Sequence, residues 1–396
     1  MKFIDGGLEK VPGYRFSAVK CGIRYENRLD YCLIAADSPC NASAVFTKNK
    51  IIAAPVKITR EKIKNPITAI LVNATNANAC TGTEGYDNAK ILTEDIASRL
   101  GTAPDSVLMA STGVIGRQLP VKKMLDSHSE LISGLSRDGG ILIPQAIMTT
   151  DTVPKKACVS FNTGMGEFLI AGTAKGAGMI APDMATLLAF IITSAPVKKN
   201  DLDLIFKRII QKTLNAITID GDMSTNDTAV ILSPISKKPL SDKNDLHSFE
   251  EALHKVLLSL SEMLVADAEG ATKLVKIHVQ NASTDDDAFK IAKAVSESLL
   301  VKTAFFGNDP NWGRIAAAAG YSGAAISEEK LSIYYGEVPL LVKGKPSDVS
   351  MELIMSELGK RELSVVIDAG MGKSNAMMMT SDISVEYVKI NSAYST

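Results

Sequence analysis

Apolar residues along this 396-residue chain recur at two spacings. Phe249, Leu253, Val256, Leu257, Leu260 and Leu264 are separated by steps of one, three or four residues, which line up along one helix face. Residues 203–217 repeat that stripe less cleanly. Elsewhere the step is two. Val275, Ile277 and Val279 alternate with polar residues in KLVKIHVQ (273–280), and ISVEYVKI (383–390) alternates likewise, so both predict strands. TAILVNAT (68–75) reads as a buried strand. Strands interspersed with helices predict an α/β fold of layered sheets and helices, not a bundle or an all-strand barrel. Residues 233–248 are polar and rich in Pro, Lys and Asp, which suits a domain linker or a surface loop before the helix.

Composition narrows the function. The formal net charge is -1, so no global field favours nucleic acid or an anionic membrane. The first residues lack the apolar core of a signal peptide, and runs such as ATLLAFII are too short to span a bilayer. The expectation is a soluble, cytoplasmic protein. Cys21, Cys32, Cys40, Cys80 and Cys158 form no CxxC pair, which predicts buried thiols in place of disulfides or a zinc site. His128, His247, His254 and His278 sit in unremarked contexts and are expected at the surface. GxSxG and GxxxxGK[ST] are missing. DGDMSTNDT (220–228) departs from a calcium loop at Thr225 and Ile231.

The remaining chemistry lies in KGAGMIAPDMATLLAFIITSAP (175–196). A threonine hydroxyl inside a chain is a poor nucleophile, whereas one at a chain terminus carries its own base, the α-amine, with a pKa near ~8. A mid-chain threonine reaches that state if its hydroxyl attacks the preceding carbonyl and the resulting ester hydrolyses. That requires a small preceding residue, a tight turn and oxyanion donors. Ala185 before Thr186 meets the first condition, and Gly176, Gly178 and Pro182 suit the second. The plainer alternative is that Thr186 caps a buried helix LLAFII.

This stretch resembles the self-cleavage motif of the ornithine acetyltransferase family, the bifunctional glutamate N-acetyltransferases of arginine biosynthesis. VFTKNKIIAAPV, NANACTGTEGYDNA, STGVIGRQLP, IMTTDTVPK, DGDMSTNDT, DAEGATK, GNDPNWGRIAAAAGYSG and YVKINSAYST resemble family motifs, in family order, from near residue 14 to residue 396. The resemblance implies an N-terminal-nucleophile-like self-processing fold, sheets layered between helices. It implies cleavage between Ala185 and Thr186 into an α chain (1–185) and a β chain (186–396), commonly assembled as α2β2. Thr186 would take acetyl from N2-acetylornithine and pass it to glutamate, one difficult transfer divided into two. Thr112 and Gly113 would form the oxyanion hole. Thr152, Lys175, Thr186, Glu269, Asn391 and Thr396 would bind substrate. Lys175 would hold a carboxylate or depress the amine pKa, and Glu269 would face an ammonium. No metal or cofactor is implied; acetyl-CoA is a second donor if this member is bifunctional. The only tryptophan, Trp312, with Arg314 in GNDPNWGRI, reads as architecture near the site.

Four positions depart from the family pattern: Ala74–Thr75 for a serine–glycine pair, Ala268 for glycine, Asp183 for asparagine and Ala393 for an acidic residue. The last casts doubt on the role of the C-terminal segment. Two alternatives stand beside this reading. One is an amidase or aminopeptidase with the same terminal nucleophile. The other is a non-catalytic binding protein that stays one uncut chain.

Overall fold

The computed structural model describes residues 1–181 and 187–393. Its strands form two sheets. The nine-stranded sheet runs Lys2–Phe3, Lys155–Thr163, Gly166–Lys175, Leu188–Thr193, Thr228–Pro234, Tyr31–Phe46, Ile67–Asn73, Val107–Ser111, with Tyr14–Val19 also paired to Tyr31–Phe46. Leu188–Thr193 is antiparallel to Gly166–Lys175 and parallel to Thr228–Pro234, so strands from both halves of the sequence interleave in one ladder. The seven-stranded sheet is built from residues beyond 216, with Leu274–Ala282 parallel to Glu362–Asp368 and antiparallel to Ser374–Ser381.

The apolar stripe explains how the sheets meet. The helix Lys243–Ala266 starts at Asp242, whose carboxylate accepts from the Asn244 and Asp245 amides and so satisfies two otherwise unpaired donors. Phe249, Leu253, Val256, Leu257, Leu260 and Leu264 are all fully buried. Each contributes about 2 kcal/mol by leaving water. They share one core with Ile191 and Ile231 of the first sheet and with Met379 and Leu274 of the second. Gly172 matters to this contact, because a Cβ there would stand 3.0 Å from Leu260 Cδ1. The helix Lys199–Lys212 joins the same layer through Leu202, Ile205, Phe206, Ile209 and Ile210. A second helical layer covers Leu33, Leu71 and Met109 of the first sheet, and a third covers Val275, Ile277 and Val279 of the second. The expected α/β layering is therefore observed. No helix among the described residues is long and apolar enough to cross a membrane.

Several expectations are corrected. ISVEYVKI is not a strand: Val385–Ala393 is a helix. Ser384 Oγ accepts from the Glu386 and Tyr387 amides, which starts the helix, while its own hydrogen goes to Gly270 O. Four alternating residues on an exposed helix do not distinguish the two periods. LLAFII is not a helix but the strand Leu188–Thr193, buried on both faces. Such a strand carries apolar residues continuously and shows no alternation. Residues 233–248 do not separate domains. They cover the first sheet, with Leu240 buried and its amide donating to Pro196 O.

His128 is buried, not superficial: Tyr31 Oη lies 2.7 Å from its Nε2 and Asp95 Oδ2 lies 2.6 Å from its Nδ1. Both ring nitrogens are satisfied, so the interior tolerates it. Burial holds its pKa below the usual histidine value against the pull of Asp95. Cys21, Cys32, Cys40 and Cys158 are buried thiols as expected; Cys80 is exposed. Trp312 is half-buried against Leu331 and Leu341 of the second sheet, lining a cavity other than the one described next.

Candidate active site

One partly open cavity of about 140 Å³ gathers Thr112, Gly113, Lys175, Glu269 and Asn391. These five come from four stretches of chain, each placed by a different device.

Thr112 and Gly113 follow the strand Val107–Ser111. The Thr112 amide donates to Asn73 O and the Val114 amide to Thr75 O, while the Gly113 amide between them has no acceptor among the described residues. Gly113 has φ +134°, and a Cβ there would lie 2.1 Å from the Thr75 carbonyl carbon. Only glycine fits. Thr75 itself has φ +74°, an unfavourable conformation for a β-branched residue.

Lys175 ends the strand Gly166–Lys175 and is 3% exposed. Its Nζ donates to Thr112 Oγ1 at 3.4 Å, leaving the threonine hydrogen to point elsewhere. Burial lowers its pKa; Asp151 opposes that most strongly, Lys155 adds to it, and Glu269 and Asp227 oppose it. Glu269 sits in the turn after the long helix, its amide bonded to Ala177 O. Its carboxylate accepts from Asn391 Nδ2 at 2.8 Å and occupies the space a side chain at Gly178 would need.

Thr152 is not among the residues lining this cavity; Thr149 and Thr150 are. Thr152 instead gives its amide and hydroxyl to Asp267. Thr186, Ala185 and Thr396 lie outside the described residues.

The cavity also contains groups that the sequence reading did not assign. Asp220, Asp222, Ser224, Thr225 and Asn226 line it, all from the segment rejected as a calcium loop. Asp220 accepts from the Met179 and Ile180 amides and from Tyr387 Oη at 3.1 Å, and burial raises its pKa. Asn226 Nδ2 bonds Ala77 O and Ser111 O, tying the strand Thr228–Pro234 to the turn at Thr112–Gly113. Asp227, 1% exposed, has neither carboxylate oxygen hydrogen-bonded among the described residues. Burial pushes its pKa well up; the nearby Leu187 amide, Thr47, Ser224 and Lys175 oppose this. The available signal was the density of polar residues directly before a buried strand.

Such a site can receive an anion at Lys175, a cation at Glu269 and developing negative charge on oxygen at Thr112–Gly113. Comparison with known proteins identifies the family. The model of the ArgJ family matches residues 15–396. The arginine biosynthesis bifunctional protein ArgJ of Geobacter sulfurreducens is 44% identical over 98% of this chain and 100% of its own. That of Caldanaerobacter subterraneus is 41% identical over 100% of both. The crystal structure of the Bacillus halodurans protein of the same name is 32% identical, covers 51% of this chain and 96% of that chain, and gives a TM-score of 0.48.

Proposed function

From the premise that the chain belongs to the ArgJ family, and is thereby an acetyltransferase of arginine biosynthesis, we propose how its residues perform the transfer. The chain cuts itself between Ala185 and Thr186. The Thr186 hydroxyl then attacks the acetyl carbonyl carbon of N2-acetylornithine, and its proton passes to the Thr186 α-amine. The carbonyl oxygen becomes an oxyanion that accepts from the Thr112 hydroxyl and the Gly113 N–H. Loss of one such donor costs ~3–4 kcal/mol in the barrier. The C–N bond breaks, the nitrogen takes the proton, and ornithine leaves. The amine of glutamate next attacks the acetyl ester, giving N-acetylglutamate and restoring the hydroxyl. Lys175 holds the α-carboxylate of either substrate, and Glu269 with Asn391 receives the ornithine ammonium. Thr152 and Thr396 complete the binding set, Thr152 through Asp267. Acetyl-CoA serves as a second acetyl donor, no cofactor takes part, and the cytoplasmic enzyme is an α2β2 assembly.

The observation that carries this reading is the convergence of Thr112, Gly113, Lys175, Glu269 and Asn391 on one cavity. The interleaved nine-stranded sheet supports the persistence of the cut halves as one unit, since Leu188–Thr193 is paired on both sides.

Denaturing electrophoresis with N-terminal sequencing tests it. Two fragments are expected, one beginning at Thr186, and acetylornithine plus glutamate should give acetylglutamate faster than free acetate. Thr186→Ala should stay whole and inactive. An intact active chain, or acetate as the main product, rejects the reading.

A further inference from the structure

We propose that Asp151, to which no part of the mechanism above gives a role, is a positioning residue that acts through Lys175. It ties the end of the Lys175 strand to the Thr149–Thr150 rim and supplies the negative charge against which Lys175 is buried. This rests on the reading of Lys175 as the carboxylate-binding group.

The Asp151 side chain is fully buried. Its Oδ1 accepts from Gly176 N at 2.7 Å and from Lys155 Nζ at 2.7 Å, and its Oδ2 accepts from Thr149 N at 3.0 Å. One carboxylate therefore joins the residue following Lys175, the residue opening the strand Lys155–Thr163, and the threonine at the cavity rim. Charge makes the second half of the argument. Lys155 Nζ has another carboxylate partner, Asp267 Oδ2, at 2.6 Å. Two carboxylates around one ammonium leave one negative charge uncompensated, and Lys175 is a buried cation whose charge acts on Asp151. Of the other acidic groups, Glu269 also favours the Lys175 ammonium but less strongly than Asp151, and Asp227 is driven toward its protonated form by burial. Among the described residues, Asp151, Lys155, Glu269 and Asp227 are the charged groups that act most on Lys175. Lys175 and Lys155 together hold the Asp151 carboxyl down to about 2 despite its burial, so the charge persists at neutral pH.

Asp151→Asn removes that charge with little change in shape. Lys175 then loses its proton at lower pH, and substrate carboxylate binding fails earlier as pH rises. In the full, processed enzyme, KM for acetylornithine at pH 8 should rise at least ~10-fold. kcat should stay within about threefold, and the pH above which KM climbs should fall by about one unit or more. Asp151→Glu should recover part of the loss. Asp267→Asn neutralises the same cluster without touching Gly176 or Thr149 and should shift the pH profile in the same direction, which keeps the test open if Asp151→Asn does not fold. KM and kcat falling together with an unmoved pH profile overturns the proposal. Lys175→Met separates the two levels. If it raises KM and Asp151→Asn adds nothing on top, both stand. If it raises KM but neither charge-removing variant moves the profile, Asp151 alone is rejected. If it leaves KM unchanged, the Lys175 assignment is what fails.

Discussion

Lys155 and Lys302 are buried alike, 1% exposed each, one beside the cavity in the first sheet and the other under the second. Their surroundings differ. Lys155 lies between the carboxylates of Asp151 and Asp267. Lys302 Nζ meets neutral oxygens, Thr380 Oγ1 at 2.6 Å and Ser381 O, with no ion pair. Burial lowers the Lys302 pKa to about 7, with Asp382 and Asp220 opposing. The difference teaches that depth alone does not fix an ammonium's charge. The two ammoniums differ in their partners, carboxylates at Lys155 and neutral oxygens at Lys302.

The largest expected effect comes from Lys302. Its folded-state pKa lies below its unfolded value of 10.5, so the unfolded chain binds more protons between the two and stability rises with pH from about 7 toward 10. The group's contribution over that window is at most about 5 kcal/mol. Urea unfolding at pH 7, 8.5 and 10 should show this slope in the wild type and its loss in Lys302→Met; equal slopes would erase the comparison.

Lys155→Met should behave oppositely. It leaves Asp151 and Asp267 facing each other underground, a loss of about 3–5 kcal/mol at neutral pH in the same assay. A neutral outcome would mean that the cluster relaxes to water.

Asp151 sharpens the contrast at the acid end. With a folded pKa of about 2, below its unfolded value of 3.8, it adds stability above pH 4 that disappears as pH falls toward 2. The expected size is about 2 kcal/mol, read as a flatter acid limb in Asp151→Asn.

The smallest effect tests strain at the cavity in place of charge. Thr75→Gly should relieve its positive φ and stabilise by about 1 kcal/mol, seen as a raised Tm.

Much of the fold was readable because burial on one face imposes a period: the stripe from Phe249 to Leu264 and the alternation of Val275, Ile277 and Val279 are packing made visible. ISVEYVKI misled because no residue of that helix is buried, so no core disciplined its pattern. The site was readable wherever a short motif carried its residues, as at Thr112–Gly113 and Lys175. The ion cluster was not. Lys155 and Asp267 are 112 positions apart, and an isolated lysine or aspartate reads as surface until the fold closes it. Likewise His128 looked superficial because its partners, Tyr31 and Asp95, are 97 and 33 residues away.

The helix Val385–Ala393 leans on the cavity through only a few threads: Ser384 to Gly270, Tyr387 to Asp220, Asn391 to Glu269. These residues follow every strand of both sheets in the chain. A nascent chain halted just short of them already holds both sheets and the Thr112–Gly113 turn, yet the cavity lacks one wall. The cavity is therefore completed only after the strands of both sheets have been made.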